Sequence, residues 1–301
     1  MRTMLGWMVV AIALTIGPAH AALPDDFVLA TPQTVGDQVV FYYDTRADFT
    51  TFITIRNTSD SELTVSVLFY GPTFSTPFSR AISLPGGALT IIDVGTLRGS
   101  GLPAQTGIAF ATAVDGGGRP ITSRALTGNF TVANLLTGSA FGGPAAARGS
   151  LTDGGKVPIL GSIIDGDRAI LKLIRPGSAV LAAYYDPSTL APVQNGGNQL
   201  IFLTFEDRYD PTWTAVIGST TWDVTTTRSN GAGVDTSIFT ANGVTVTDLA
   251  SVAGPGVNGA AGSMEFRASD TAIDLSRLIY FTEALGTFGT GYLLPPIVTE
   301  D

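Results

Sequence analysis

Cysteine is absent from this 301-residue chain, histidine occurs once, at His20, and lysine twice, at Lys156 and Lys172. Each shortage removes a class of chemistry. Without Cys no disulfide can form in any compartment, so stability rests on buried apolar area. Without Cys and with a single His, neither a Cys-His pair nor a zinc, haem or iron–sulfur site ligated by Cys and His can be assembled. No serine sits in a Gly-x-Ser-x-Gly elbow. Two lysines cannot build a basic stripe. The balance of 16 Lys+Arg against 25 Asp+Glu leaves a net charge of −9, which argues against nucleic acid and anionic membranes as partners. What survives is carboxylate and hydroxyl chemistry and the binding of hard cations by oxygen.

What is present is apolar: 45% hydrophobic residues against 14% charged, with 36 Gly and 17 Pro, a composition that folds rather than stays disordered. The N-terminus reads as an export address. Arg2 precedes an apolar run, Met4 to Ile16, and Ala19 and Ala21 hold the small-residue positions of a cleavage site. Thirteen apolar residues fall short of the roughly 20 that span a bilayer. Cleavage after Ala21 removes Arg2 and His20, leaving 280 residues with no histidine and 15 basic against 25 acidic side chains. The Ser-His-Asp triad is thereby excluded too. The chain is expected to be exported, to the periplasm, the cell surface or the medium, with no transmembrane span in its mature form.

Beyond residue 22 the pattern is that of an all-β protein. Val39–Tyr43, Thr51–Arg56 and Leu63–Tyr70 are rich in β-branched and aromatic residues, several alternating with period two, and 78–84, 88–94, 107–114 and 120–134 follow suit. Asn57-Thr58-Ser59-Asp60, Pro85-Gly86-Gly87 and Asp115-Gly116-Gly117-Gly118 separate them as turns. No helix of 3.6 periodicity stands out after the leader; residues 271–286 are the nearest alternative.

The second half echoes the first. Residues 87–115 align without gaps on 242–270, with Thr90/Thr245, Asp93/Asp248, Gly99/Gly254, Gly101/Gly256, Gly107/Gly262, Ala113/Ala268 and Asp115/Asp270 identical. Tyr42-Tyr43-Asp44 recurs as Tyr184-Tyr185-Asp186, Phe52–Ile55 as Phe202–Phe205, Phe130–Ala133 as Phe281–Ala284 and Phe141-Gly142 as Phe288-Gly289. Shared order at a nearly constant offset predicts a tandem duplication: a first β-sandwich over 22–148, a linker over 149–168 and a second sandwich over 169–301. The repeated glycines are expected where φ is positive or the backbone is approached closely, and the repeated aspartates where a strand meets a loop.

Phe52-Ile-Thr-Ile-Arg-Asn57-Thr58-Ser59, followed by Leu63–Val67, resembles the strand–turn–strand of bacterial secreted immunoglobulin-like domains, in which a Val-x-Asn-Thr-Gly turn leads into a second alternating strand. Ser59 stands where those domains have Gly. The resemblance implies two tandem immunoglobulin-like antiparallel sandwiches used as spacers, adhesive or surface modules, and it carries over no active site.

Four groups are candidate sites. Asp207, Tyr209, Asp210 and Trp213 combine rings and carboxylates, the pattern that stacks on and hydrogen-bonds a sugar; Trp213 and the nearby Trp222 are otherwise core residues. Asp165 and Asp167 offer loop oxygens of the kind Ca²⁺ takes, or are solvated turn residues. Gly254-Pro255-Gly256-Val257-Asn258-Gly259 fits a dinucleotide fingerprint but reads as a loop between strands. A glycosidase pair would have to come from Glu62, Glu206, Glu265, Glu283 and Glu300, of which Glu265 and Glu283 are expected in solvent or paired with Arg267 or Arg277. The sequence therefore predicts a non-catalytic structural or adhesive protein with a protein or glycan partner and no cofactor. A glycan-binding module or carboxylate-dependent glycosidase in the second half is the alternative, and an outer-membrane barrel a further one.

Overall fold

The structure is a computed structural model that describes residues 27–29, 35–74, 76–136, 138, 140–148, 162–165, 168–171, 179–184, 199–206, 217–229, 233–257, 261–269, 275–285, 288–293 and 296–299. The first strands are β1 (Phe27–Leu29), β2 (Gln38–Asp44), β3 (Phe49–Asn57), β4 (Leu63–Tyr70), β5 (Phe78–Leu84), β6 (Leu89–Asp93), β7 (Thr106–Val114), β8 (Leu126–Asn134), β9 (Ala140–Pro144) and β10 (Ala146–Arg148). After them come β11 (Ser162–Asp165) and β12 (Arg168–Leu171), then β13 (Ala179–Tyr184), β14 (Gln199–Glu206), β15 (Ser219–Arg228), β16 (Val234–Asn242) and β17 (Val244–Asp248). A short helix, α1 (Leu249–Ala253), precedes β18 (Gly262–Ala268), β19 (Leu275–Leu285), β20 (Phe288–Leu293) and β21 (Pro296–Thr299). All strand pairs are antiparallel.

Two departures from the sequence reading are local. The expected linker over 149–168 contains β11 and the first residue of β12, its hairpin partner. And α1 is a helix where none was expected; Asp248 nucleates it by accepting a hydrogen bond from the Ser251 amide at 2.7 Å. Within 271–286, the nearest helical alternative, residues 275–285 form strand β19.

Four sheets carry the fold. Sheet I has the order β6-β3-β8-β9 and sheet II the order β10-β2-β7-β4-β5; sheet III runs β17-β14-β19-β20 and sheet IV runs β1-β21-β13-β18-β15-β16. Replace each strand of sheets I and II by the one eleven places later and the orders of III and IV appear, with β1 added at one edge. In the immunoglobulin pattern the first strand lies beside the second and the last beside the sixth. Here the first strand, β2, pairs with the sixth, β7, while the seventh, β8, pairs with the second, β3. The turn at Asn57 is nonetheless as compact as the sequence suggested. Asn57 donates to the Ser61 and Leu84 carbonyls at 2.7 and 3.0 Å and accepts from Ser59, whose hydroxyl makes glycine unnecessary there.

Burial follows the stacking. Sheet I packs on sheet II through Ile53, Ile55, Phe130 and Val132 against Phe41, Val65, Val67 and Phe69. Sheet III packs on sheet IV through Leu200, Phe202 and Ile279 against Trp222, Val224, Met264 and Phe266. Strand β14 serves both cores: Leu200 and Phe202 point into the second, whereas Ile201, Leu203 and Phe205 join the first. Sheet II thus lies between I and III and sheet III between II and IV, while the edge strands of sheets I and III, β9 and β20, run beside each other. Inner strands β2 and β7 and residues 200–205 of β14 are buried almost throughout; in the outer sheets β3 and β15 alternate. A strand covered on both faces reads as a continuous apolar run and one covered on a single face alternates.

Candidate functional site

The buried polar side chains of the first half are occupied in holding chain together. Asp44, almost fully buried, receives Arg46 through Nε and Nη2, the latter at 2.6 Å, and the Tyr42 hydroxyl at 3.2 Å. Asp37 accepts the Ser123 and Arg124 amides at 2.7 and 2.5 Å, and Arg124 sits at φ 47° in consequence of that loop's tight path. Asp93 accepts from the Gly95 amide at 3.0 Å and from Thr50 Oγ1 at 2.5 Å, starting a 3₁₀ turn over Val94–Leu97 as Asp248 starts α1. Burial raises the Tyr42 and Tyr43 phenols above their ordinary range. Both stay neutral there, and Tyr43 donates to the Tyr70 carbonyl at 3.0 Å.

The predicted ligand-binding group, Asp207, Tyr209, Asp210 and Trp213, lies outside the described residues, as do Asp167 and residues 1–21. Asp165 ends β11 in register with Arg168. Among the described residues no group of three or more acidic, His or Cys side chains is arranged to hold a metal. Trp222 is a core residue. Gly254 closes α1 at φ 85° rather than opening a helix, and a side chain on Gly256 would stand 2.5 Å from the Asp235 carboxylate, which pairs with Arg228 at 2.9 Å. Gly254 and Gly256 thus serve a helix end and a close approach, not a phosphate cradle, which needs a helix N-terminus. Glu265 pairs with Arg267, as its position suggested.

The register places Tyr43 opposite Gly107 and Tyr184 opposite Gly262, so Tyr184 stands in the place of Tyr43, one residue away from the sequence match. In each case the ring lies over the glycine, where a Cβ would meet the phenol oxygen at 2.6 or 2.7 Å. Likewise Phe202 stands where Ile55 does, not Phe52, three residues from the sequence match. An odd slip moves every side chain to the other face. Matching on residue type had overlooked that parity, which the alternation of buried positions could have supplied.

The remaining candidates are the sheet faces. The far face of sheet II carries Leu68, Tyr70, Ile108 and Phe110, and sheet III covers it: the Phe110 and Phe205 rings are 5.3 Å apart, edge to face. In sheet IV the corresponding places hold Thr225, Thr227, Ser263 and Glu265, on an outward face with Thr221, Asp223 and Arg267. The converse holds at the other end. Sheet III turns Ile201, Leu203, Val244 and Val246 onto sheet II, whereas sheet I has Thr54, Arg56, Leu89 and Ile91 in those places, facing outward. Beside them a shallow groove of about 410 Å³ runs along β8 and β9 between Thr127, Asn129, Thr131 and Pro144 over Gly142 and Gly143, with no ionisable side chain in its lining. This groove is open, and the described faces of sheets I and IV beside it and opposite are broad.

No protein-family model matches the chain, and no curated protein matches it. Among solved structures it is weakly similar to the PBSX exported protein XepA, at 8% sequence identity over 91% of this chain and 81% of that one, with a TM-score of 0.20. No helix among the described residues is long and apolar enough to cross a membrane.

Proposed function

We propose that the chain is an exported, non-catalytic structural or adhesive protein, built from two copies of one β-sandwich and working through its sheet faces. The observation that carries this reading is where the polar chemistry sits. The side chains of Asp37, Asp44, Asn57 and Asp93 are engaged by backbone and neighbours that fix turns and strand ends, so none is free to act on a substrate. The outward faces of sheets I and IV are what remains to meet a partner. Flat, Thr-rich faces suit the wide, shallow contacts of a surface protein better than a reaction that needs a desolvated pocket. The identical strand orders and the offset of 155 over residues 87–115 support the two copies.

The test is fractionation of cells expressing the full chain with a C-terminal tag, followed by N-terminal sequencing and identification of what co-purifies. The expected product begins at Ala22, lies outside the cytoplasm and carries a protein or glycan bound through a sheet face, lost on Arg56→Glu or Glu265→Arg. An unprocessed cytoplasmic chain, or hydrolysis of a glycoside panel by the purified protein, would overturn it.

A further inference from the structure

We propose that the outward face of sheet I in one molecule docks on the outward face of sheet IV in a second copy, continuing from chain to chain the stack that sheets II and III make within the chain. The inference rests on reading the two strand sets as copies. Inside the molecule a sheet of type III lays its back on a sheet of type II. Sheet I has the same strand order as III, and sheet IV that of II, so among the described residues each molecule turns outward one face of each kind.

Two observations say that these faces are more than inert caps. Leu89 and Ile91 stand where Val244 and Val246 enter the first core, yet they are 58% and 60% exposed. Aliphatic side chains thus stand at the docking positions of a face that no described residue covers. The charges also match. Arg56 replaces Leu203, two residues along the strand from the counterpart of Phe205, whose ring meets Phe110; Glu265 replaces Phe110 and pairs with Arg267 within the chain, and with Asp223 beside them the two carboxylates outweigh that one guanidinium. A guanidinium reaches across that two-residue spacing, so the contact that is ring on ring inside the molecule becomes Arg56 on Glu265 between molecules. Unlike surfaces that meet head to tail form an open array rather than a closed dimer.

Sedimentation equilibrium of the purified full chain tests this. The weight-average mass is expected to climb with concentration without a plateau, and the climb to weaken in high salt. Arg56→Glu and Glu265→Arg, both exposed or half-exposed and outside the cores, are each expected to weaken association at least ten-fold, and an equimolar mixture to restore it, since every mixed contact is again between opposite charges. A chain monomeric at all concentrations, a closed dimer, or single variants that associate like the wild type would overturn the proposal. Its failure is separable from that of the two-copy reading. A monomer in which Phe205→Asp uncouples the two halves leaves the internal stack standing, whereas a monomer that still unfolds in one step with Phe205→Asp counts against the copies themselves.

Discussion

A methyl group on Gly107 would stand 1.9 Å from the Tyr70 carbonyl oxygen and 2.6 Å from the Tyr43 hydroxyl; on Gly262 it would stand 2.2 Å from the Thr227 carbonyl and 2.7 Å from the Tyr184 hydroxyl. Backbone cannot give way as a side-chain tip can. Gly107→Ala is therefore expected to cost about 3 kcal/mol, at the upper end of overpacking effects, by urea denaturation. The buried pair Tyr42 and Tyr43 makes stability depend on alkali. Burial raises the Tyr42 and Tyr43 phenols above the ordinary value of 10.0, with the Asp44 carboxylate adding to the effect at Tyr42. The unfolded chain loses these protons from about pH 10 while the folded chain keeps them. The stability is thus complete below that pH and declines above it, by up to about 1.4 kcal/mol per pH unit for each phenol. Tyr43→Phe should flatten the decline, measured as urea midpoints between pH 9 and 11.5.

Among the elements, α1 owes its place to one side chain. Asp248→Ala removes the acceptor for the Ser251 amide and should destabilise by about 1 kcal/mol, with amide exchange quickening first over 249–253. The strands show how burial writes itself into sequence. Thr51-Phe52-Ile53-Thr54-Ile55-Arg56 alternates because sheet I has one wet face, and β15 repeats the pattern in sheet IV. Leu200-Ile201-Phe202-Leu203-Thr204-Phe205 does not, because sheet III is covered on both sides. The strand assignments at 39–43, 51–56, 63–70 and 78–84 were legible from β-branched and aromatic residues alone, as was the pairing of Asp93 with Asp248 as strand-end aspartates. The registers of Tyr184 and Phe202 were not, because a match of residue type is blind to which face a side chain takes. Of the candidate site, the sheet faces were not legible, since their residues come together only when β3 meets β6 and β15 meets β18.

For the molecule as a whole, the contact between sheets II and III joins two cores into one body. Phe205→Asp puts a charge against Phe110 and Phe74. It should lower stability by about 3–5 kcal/mol and split urea unfolding into two transitions, Trp222 fluorescence reporting the second core alone once Trp7 and Trp213 are replaced by Phe.

Composition and periodicity settle, without any coordinates, that this chain is built of strands, that no sulfur bridge supports it, and that thiol chemistry is closed to it. They do so because absence is absolute and because period two reports a half-buried strand wherever it occurs. Which β-face lies inward, which sheets are doubly covered and which two faces are left to the solvent depend on contacts between residues more than a hundred positions apart, such as Phe110 with Phe205. No local pattern records such contacts; only the packed layers bring them together.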